Sequence, residues 1–131
     1  MSDAFDSDVL IYAAQGLGEG VHVRALLEST NDPIGSVVLL PEVLSKPSRL
    51  GQDAEVSSLE ELLSHFELKP VDAEVAYAAA ELGAKYALRA ADAIHLATAV
   101  VWGAERFHTN NRKDFGPRIE EIEVVWPLAT R

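Results

Sequence analysis

Four acidic residues spread along the chain, Asp6, Glu42, Asp92 and Asp114, are the side chains whose types and placement could do chemistry. Carboxylates gathered in one place repel one another and stay ionised only where a cation shares the site. The cation that suits an all-oxygen donor set is hard and divalent, Mg²⁺ or Mn²⁺, and it keeps several of its waters. Such an ion activates water at neutral pH and braces a phosphate for in-line attack. Metal-assisted hydrolysis of a phosphodiester is the chemistry open to these residues, provided that the fold brings them together.

The elements that must do so are short apolar runs alternating with longer helical ones. Residues 4–6 predict a very short strand that ends on Asp6, followed by a helix over 9–15. An amphipathic helix over 21–29 is stopped by Asn31-Asp32-Pro33. The β-branched run 36–40 predicts a buried strand, and Pro41 then opens a helix that carries Glu42. Residues 47–54 predict a surface loop, 56–66 a further helix and 68–71 a weak strand. Asp72 predicts an N-cap for a helix to about residue 86, with Val75, Ala79, Leu82 and Tyr86 as one stripe. The helix over 90–102 is apolar on nearly every face and belongs at the centre. Residues 106–109 and 121–126 predict the last strands, with a polar loop over 110–116 between them. Strands alternating with helices imply an α/β/α sandwich around a mainly parallel sheet, in one domain over residues 1–131. In such sheets ligands bind beyond the carboxyl ends of the strands. On this scheme Asp6, Glu42 and Asp114 fall along that edge, and Asp92, in the first turn of the central helix, can point at it.

Each acid also has a plainer reading. Asp6 could cap the turn after a strand, with Ser7 or Asp8 sharing the task, and Asp8 reads as a local cap or a supporting group. Glu42 and Asp92 lie in first helical turns, where the dipole favours acids. Asp92 is set among Ala91, Ala93, Ile94 and Leu96, and a carboxylate on so apolar a helix needs a partner. Loop aspartates such as Asp114 are common, and ordinary turn chemistry accounts for Thr109 and Asn111, which are also placed to orient it. His95 reads as a hydrogen-bonded core histidine, and His22, His65 and His108 show no metal-ligand spacing. Trp102 and Trp126 read as core or dimer-surface residues, and Glu120, Glu121 and Glu123 as a solvated edge.

The net charge is −10, from 21 acidic and 11 basic residues, which argues against a non-specific nucleic-acid binder unless part of the acidity sits in a site that a cation neutralises. Six of the 11 basic residues, Lys46, Arg49, Arg89, Arg112, Lys113 and Arg118, lie near the four acids in sequence. Arg112 and Lys113 are the candidates for contacting phosphate. There is no cysteine, so thiolate metal sites and thiol nucleophiles are excluded. No basic-then-apolar leader is visible, and the longest apolar stretch, 93–103, is interrupted by His95 and too short to span a bilayer. A cytoplasmic protein without a membrane partner is the expectation.

The residues around the acids resemble a known family. Phe5-Asp6-Ser7-Asp8-Val9-Leu10-Ile11-Tyr12 looks like the opening signature of PIN domains, and Leu39-Leu40-Pro41-Glu42-Val43-Leu44 resembles the segment with the family's glutamate. The run from Ala90 to Ala99 is similar to the family's aspartate-bearing, alanine-rich helix, and His108 to Phe115 resembles its last motif. Order, spacing and length agree over the whole chain. The resemblance implies a three-layer fold, a Mg²⁺ or Mn²⁺ site and RNA cleavage. For short prokaryotic members it implies a VapC-type toxin that forms a homodimer and is blocked by a cognate antitoxin. Many relatives carry an acid where this chain has Asn111, which leaves Asp114 as the acid of that loop. Two other readings compete. A haloacid-dehalogenase-like phosphohydrolase would use Asp6 as nucleophile in Asp6-Ser7-Asp8-Val9, and a catalytically silent interaction module would bind a basic peptide with the same acids.

Overall fold

A computed structural model describes residues 2–16 and 18–127. Five short strands form one parallel sheet: β1 (Asp3–Phe5), β2 (Ile34–Ser36), β3 (Glu67–Lys69), β4 (Arg106–His108) and β5 (Glu123–Val125), in the order β3-β2-β1-β4-β5. Parallel neighbours need crossovers, and helices supply them. α1 (Ser7–Gln15) and α2 (Gly20–Ser29) link β1 to β2, while α3 (Leu39–Arg49) and α4 (Asp53–Leu63) link β2 to β3. α5 (Ala73–Tyr86) and α6 (Ala90–Val101) then carry the chain back across to β4, so the direction of winding reverses between β1 and β4.

Alternation along β1 sorts the layers. Ala4 joins Ile34, Phe107 and the buried faces of α5 and α6 in one core, and Phe5 joins α1, α2, α3 and α4 in the other. Burying rings such as Phe5 and Phe107 completely contributes roughly 2–3 kcal/mol each. α5 follows its sequence signals closely. The Asp72 carboxylate accepts the Val75 N–H at 3.0 Å, Val75, Ala79, Leu82 and Tyr86 are buried, and Ala87 ends the helix in a left-handed conformation, φ 57°.

The second strand lies elsewhere than the valine pair predicts. It occupies Ile34–Ser36, Val37 and Val38 form a turn, and Leu39 already begins α3. Two local features explain this. The Ser36 hydroxyl accepts the Val38 N–H at 3.0 Å, which turns the chain out of the sheet. Leu39 then folds back over Gly35, where an added Cβ would meet Leu39 Cδ1 at 2.5 Å. Pro41 is consequently the third residue of α3, still within the turn whose N–H groups lack helical partners. The loop expected over 47–54 shrinks to residues 50–52, because α3 runs on through a buried Pro47 to Arg49 and Gly51 turns the chain at φ 67°. α4 ends at Leu63, which releases Phe66 to pack edge-on against Phe5 at 5.7 Å between ring centres.

Candidate active site at the carboxyl edge of the sheet

A reversal such as that between β1 and β4 is where parallel sheets form a crevice at the carboxyl ends of their strands. Asp6 stands at that edge. The strand proper ends at Phe5, and Asp6 is the N-cap of α1, its backbone N–H still donating to His108 O at 2.9 Å. Its carboxylate accepts the Ser7 N–H and the Thr109 hydroxyl, each at 2.9 Å. With 2% exposure it is buried, and burial, aided by the charge of Asp8, pushes its carboxyl up to about 7.

Asp8, in the first turn of α1, accepts the Val9 N–H as a local cap would, and it does more. It reaches across the crevice, and its two carboxylate oxygens accept the backbone N–H of Asn110 at 3.2 and 3.1 Å, tying the loop after β4 to α1. Burial raises its carboxyl, and Asp92 adds to the rise. Asp92, in the first turn of α6, is half-buried. It is raised by burial, then by the charges of Asp114 and Glu42, with His95 and Arg89 acting the other way. Asp114 is held by Asn111 on both sides: the Asn111 amide donates to its carboxylate at 2.9 Å, and its own N–H donates to Asn111 Oδ1 at 3.2 Å. Asn111 N–H donates in turn to the Thr109 hydroxyl at 3.0 Å, so the same hydroxyl that serves Asp6 shapes this loop. Asn111 is thus the orienting group for the acid of this loop.

Glu42 arrives from the opposite layer. α3 packs with α1 on one face of the sheet and α6 covers the other. The Glu42 carboxylate meets the His95 imidazole Nε2 across the edge, and the Ser7 hydroxyl also reaches it. The His95 bond holds Glu42 below the usual carboxylate range although partial burial opposes it. His95 sits one turn after Asp92 on α6, and the spacing of three residues was the signal in the sequence for that shared direction. The reading of His95 as a hydrogen-bonded core residue holds, with a site carboxylate as its partner.

Repulsion thus runs through the acids as a chain, from Asp6 to Asp8, from Asp8 to Asp92, and from Asp92 to both Asp114 and Glu42. The edge unites all four predicted acids and adds Asp8. Their spacing is open: among the described residues no group of three or more His, Asp or Glu side chains is close enough to hold one metal ion. Cations flank the acids. Arg89 immediately precedes α6, Arg112 lies over the Trp126 ring at 5.3 Å, Lys113 is exposed in the same turn, and Lys46 shares with Glu42 a groove of about 350 Å³ between α1, α3 and α4.

A family model described as PIN domain matches residues 4–116. Among solved structures, a toxin–antitoxin complex from Klebsiella pneumoniae is 27% identical over 95% of this chain and 97% of that one, with a TM-score of 0.78. DNA-bound VapBC from Salmonella typhimurium is 20% identical over 97% and 98% of the two chains, with a TM-score of 0.78. FitAcB from Neisseria gonorrhoeae is 22% identical over 95% and 97%, with a TM-score of 0.74. These last two establish likeness of fold. No curated protein sequence matches the chain.

Proposed function

The chain belongs to the PIN domain family, and on that footing we propose that it is a divalent-metal-dependent endoribonuclease acting as the toxin of a toxin–antitoxin pair. The observation that carries the reading is the chain of mutually repelling carboxylates at the β1–β4 crevice, where three of five have raised proton affinity. A partly buried group of like charges whose cations stand only at its flanks is a site suited to receive one more. The donor set fits a hard ion, being all carboxylate oxygen in character. The open spacing allows an ion that takes one or two carboxylates directly and completes its shell with waters, which is how Mg²⁺ usually binds. Of Asp6, Asp92, Asp114 and Glu42, one or two would hold the ion directly and the others would reach it through its waters. When bound, the ion supplies an activated water and neutralises charge on the scissile phosphate.

The chain's own groups do the rest. The Ser7 N–H and Thr109 hydroxyl fix both oxygens of Asp6, and Asn111 fixes Asp114, so neither carboxylate must reorganise on binding. Arg89, Arg112, Lys113 and Lys46 flank the acids and provide phosphate contacts in a molecule whose net charge would otherwise repel RNA. Family membership removes the ground for the nucleophilic-aspartate alternative. The Klebsiella neighbour is a toxin–antitoxin complex, which supports a cognate antitoxin as partner here, and a homodimer accompanies that proposal. Among the described residues no helix is long and apolar enough to cross a membrane. The deciding experiment is cleavage of RNA with Mg²⁺ or Mn²⁺ and with EDTA, comparing wild type with Asp6→Asn and Asp92→Asn. Cleavage that survives chelation or both substitutions rejects the proposal.

A further inference from the structure

Glu42 is a long side chain on a helix of one layer, yet its carboxylate stands among acids delivered by the strand ends and by the other layer. Something must hold it there, because an untethered glutamate on an exposed turn samples many rotamers. The His95 imidazole is placed to do so, with the Ser7 hydroxyl beside it. The His95 side chain is 1% exposed and that of Glu42 30% exposed, so the contact runs from the buried interior outward to the site. A carboxylate only accepts, so Nε2 carries the proton and donates it. The other ring nitrogen, Nδ1, is buried without a hydrogen-bond partner. An imidazole with one nitrogen unpaired serves the core less well than an apolar side chain of similar size. The bond to Glu42 is what the ring gains in return.

We infer that His95 is a positioning residue: its Nε2–H, reaching over the sheet edge from the α5–α6 layer, fixes the Glu42 carboxylate of the opposite layer at the acid cluster. One oxygen, Oε1, is occupied by the imidazole, and the Ser7 hydroxyl also reaches the carboxylate. The inference rests on the nuclease reading for its consequence, but not for the contact itself.

The test uses the full chain. Long-range ¹H–¹⁵N spectra should place the His95 ring proton on Nε2, and Glu42→Gln should shift that resonance. Kinetics are measured on a fluorogenic RNA pool of mixed sequence at saturating Mg²⁺. His95→Leu should lower kcat about 10- to 100-fold, the cost of a misplaced group, with KM within about twofold. His95→Gln, whose amide keeps a donor at similar reach, should recover most of that loss. In a Glu42→Gln background, His95→Leu should cost nothing further. An unchanged kcat in His95→Leu, an equal loss in His95→Gln, or additive losses in the double variant overturns the inference. Where His95→Leu does not fold, His95→Gln and the spectrum decide it. If the wild type cleaves no RNA at all, the nuclease reading fails. The clamp is then judged by the ring proton alone: on Nε2 and responsive to Glu42→Gln it stands, on Nδ1 or indifferent it falls.

Discussion

Asp3 and Asp6 lie three residues apart at the two ends of β1, and both are buried, yet the fold treats them in opposite ways. Asp3 pairs in register with Arg106 at the start of β4. It accepts from Arg106 Nε at 2.7 Å, from Arg106 Nη2 at 3.3 Å and from His108 Nε2 at 2.9 Å. Burial alone would raise its carboxyl, but the His108 and Arg106 bonds outweigh it and hold Asp3 below its ordinary value. Asp6 has two hydrogen bonds from neutral donors and a row of carboxylates for neighbours, and it is pushed up to about 7. The first is a carboxylate whose charge the chain itself answers. The second is one whose charge is left for something outside the chain. Burial does not distinguish a structural acid from a candidate catalytic one, and the supply of cations does.

That contrast breaks most visibly in activity. Asp6→Asn or Asp92→Asn should lower the RNA cleavage rate by at least about 100-fold, the scale on which a preorganised charge supports a transition state. Asp3→Asn, assayed under the same conditions, should stay within about threefold, because Asp3 is linked to the site acids only indirectly, through His108, whose backbone carbonyl accepts the Asp6 N–H. A large loss in Asp3→Asn would mean that the two ends are not independent. Stability should show the reverse order. Asp3→Ala strips a partner from Arg106 and His108 and should cost roughly 2–4 kcal/mol in urea unfolding, less than a fully dry pair because Arg106 is partly exposed. Divalent metal sharpens the comparison next. Mg²⁺ or Mn²⁺ in the millimolar range should stabilise wild type and Asp3→Asn alike by about 1–3 kcal/mol through linkage, and should do little for Asp6→Asn or Asp92→Asn. Equal thermal shifts in all four proteins would place the ion elsewhere.

How much of this the sequence disclosed follows the range of the interactions. Local signals were readable: the Asp72 cap with its 3.6-residue stripe, the apolar α6 around Asp92, the alternation of strands and helices. The second strand was misplaced because two adjacent valines carry a strong strand preference. What displaces it is the Gly35–Leu39 approach and the Ser36 hydroxyl, a packing fact invisible in propensities. Convergence of the acids on one edge followed from the parallel topology, but the ties between them did not. Asp8 binding Asn110, Asn111 bracketing Asp114 and His95 meeting Glu42 depend on side chains from different elements. Asp3 passed unnoticed for the same reason, since its partner Arg106 is 103 residues away. Pairings of that range leave no periodic trace in a single sequence.

The smallest effect is the one that separates the two carboxylates by sign. Asp6 has a folded-state value near 7 against an ordinary 3.8, so between about pH 4 and 7 the folded chain binds more protons than the unfolded one. Stability from this group is therefore greatest at low pH and is lost as pH rises through 7. Asp3 is shifted down, so its contribution is present above the ordinary carboxylate range and disappears on acidification below it. In EDTA, wild type should lose about 1–2 kcal/mol relative to Asp6→Asn between pH 5 and pH 7, since asparagine keeps the α1 cap without the charge. Saturating Mg²⁺ should flatten the slope by taking the place of the proton. The Asp3→Asn protein should keep the Asp6 slope at pH 5 to 7, with any added pH dependence there coming from His108, which burial already lowers and which loses the Asp3 carboxylate that opposes this. Paired urea titrations across that range measure all three. A wild-type curve parallel to that of Asp6→Asn would show that Asp6 is charged and already answered within the fold, and the division between the two ends of β1 would dissolve.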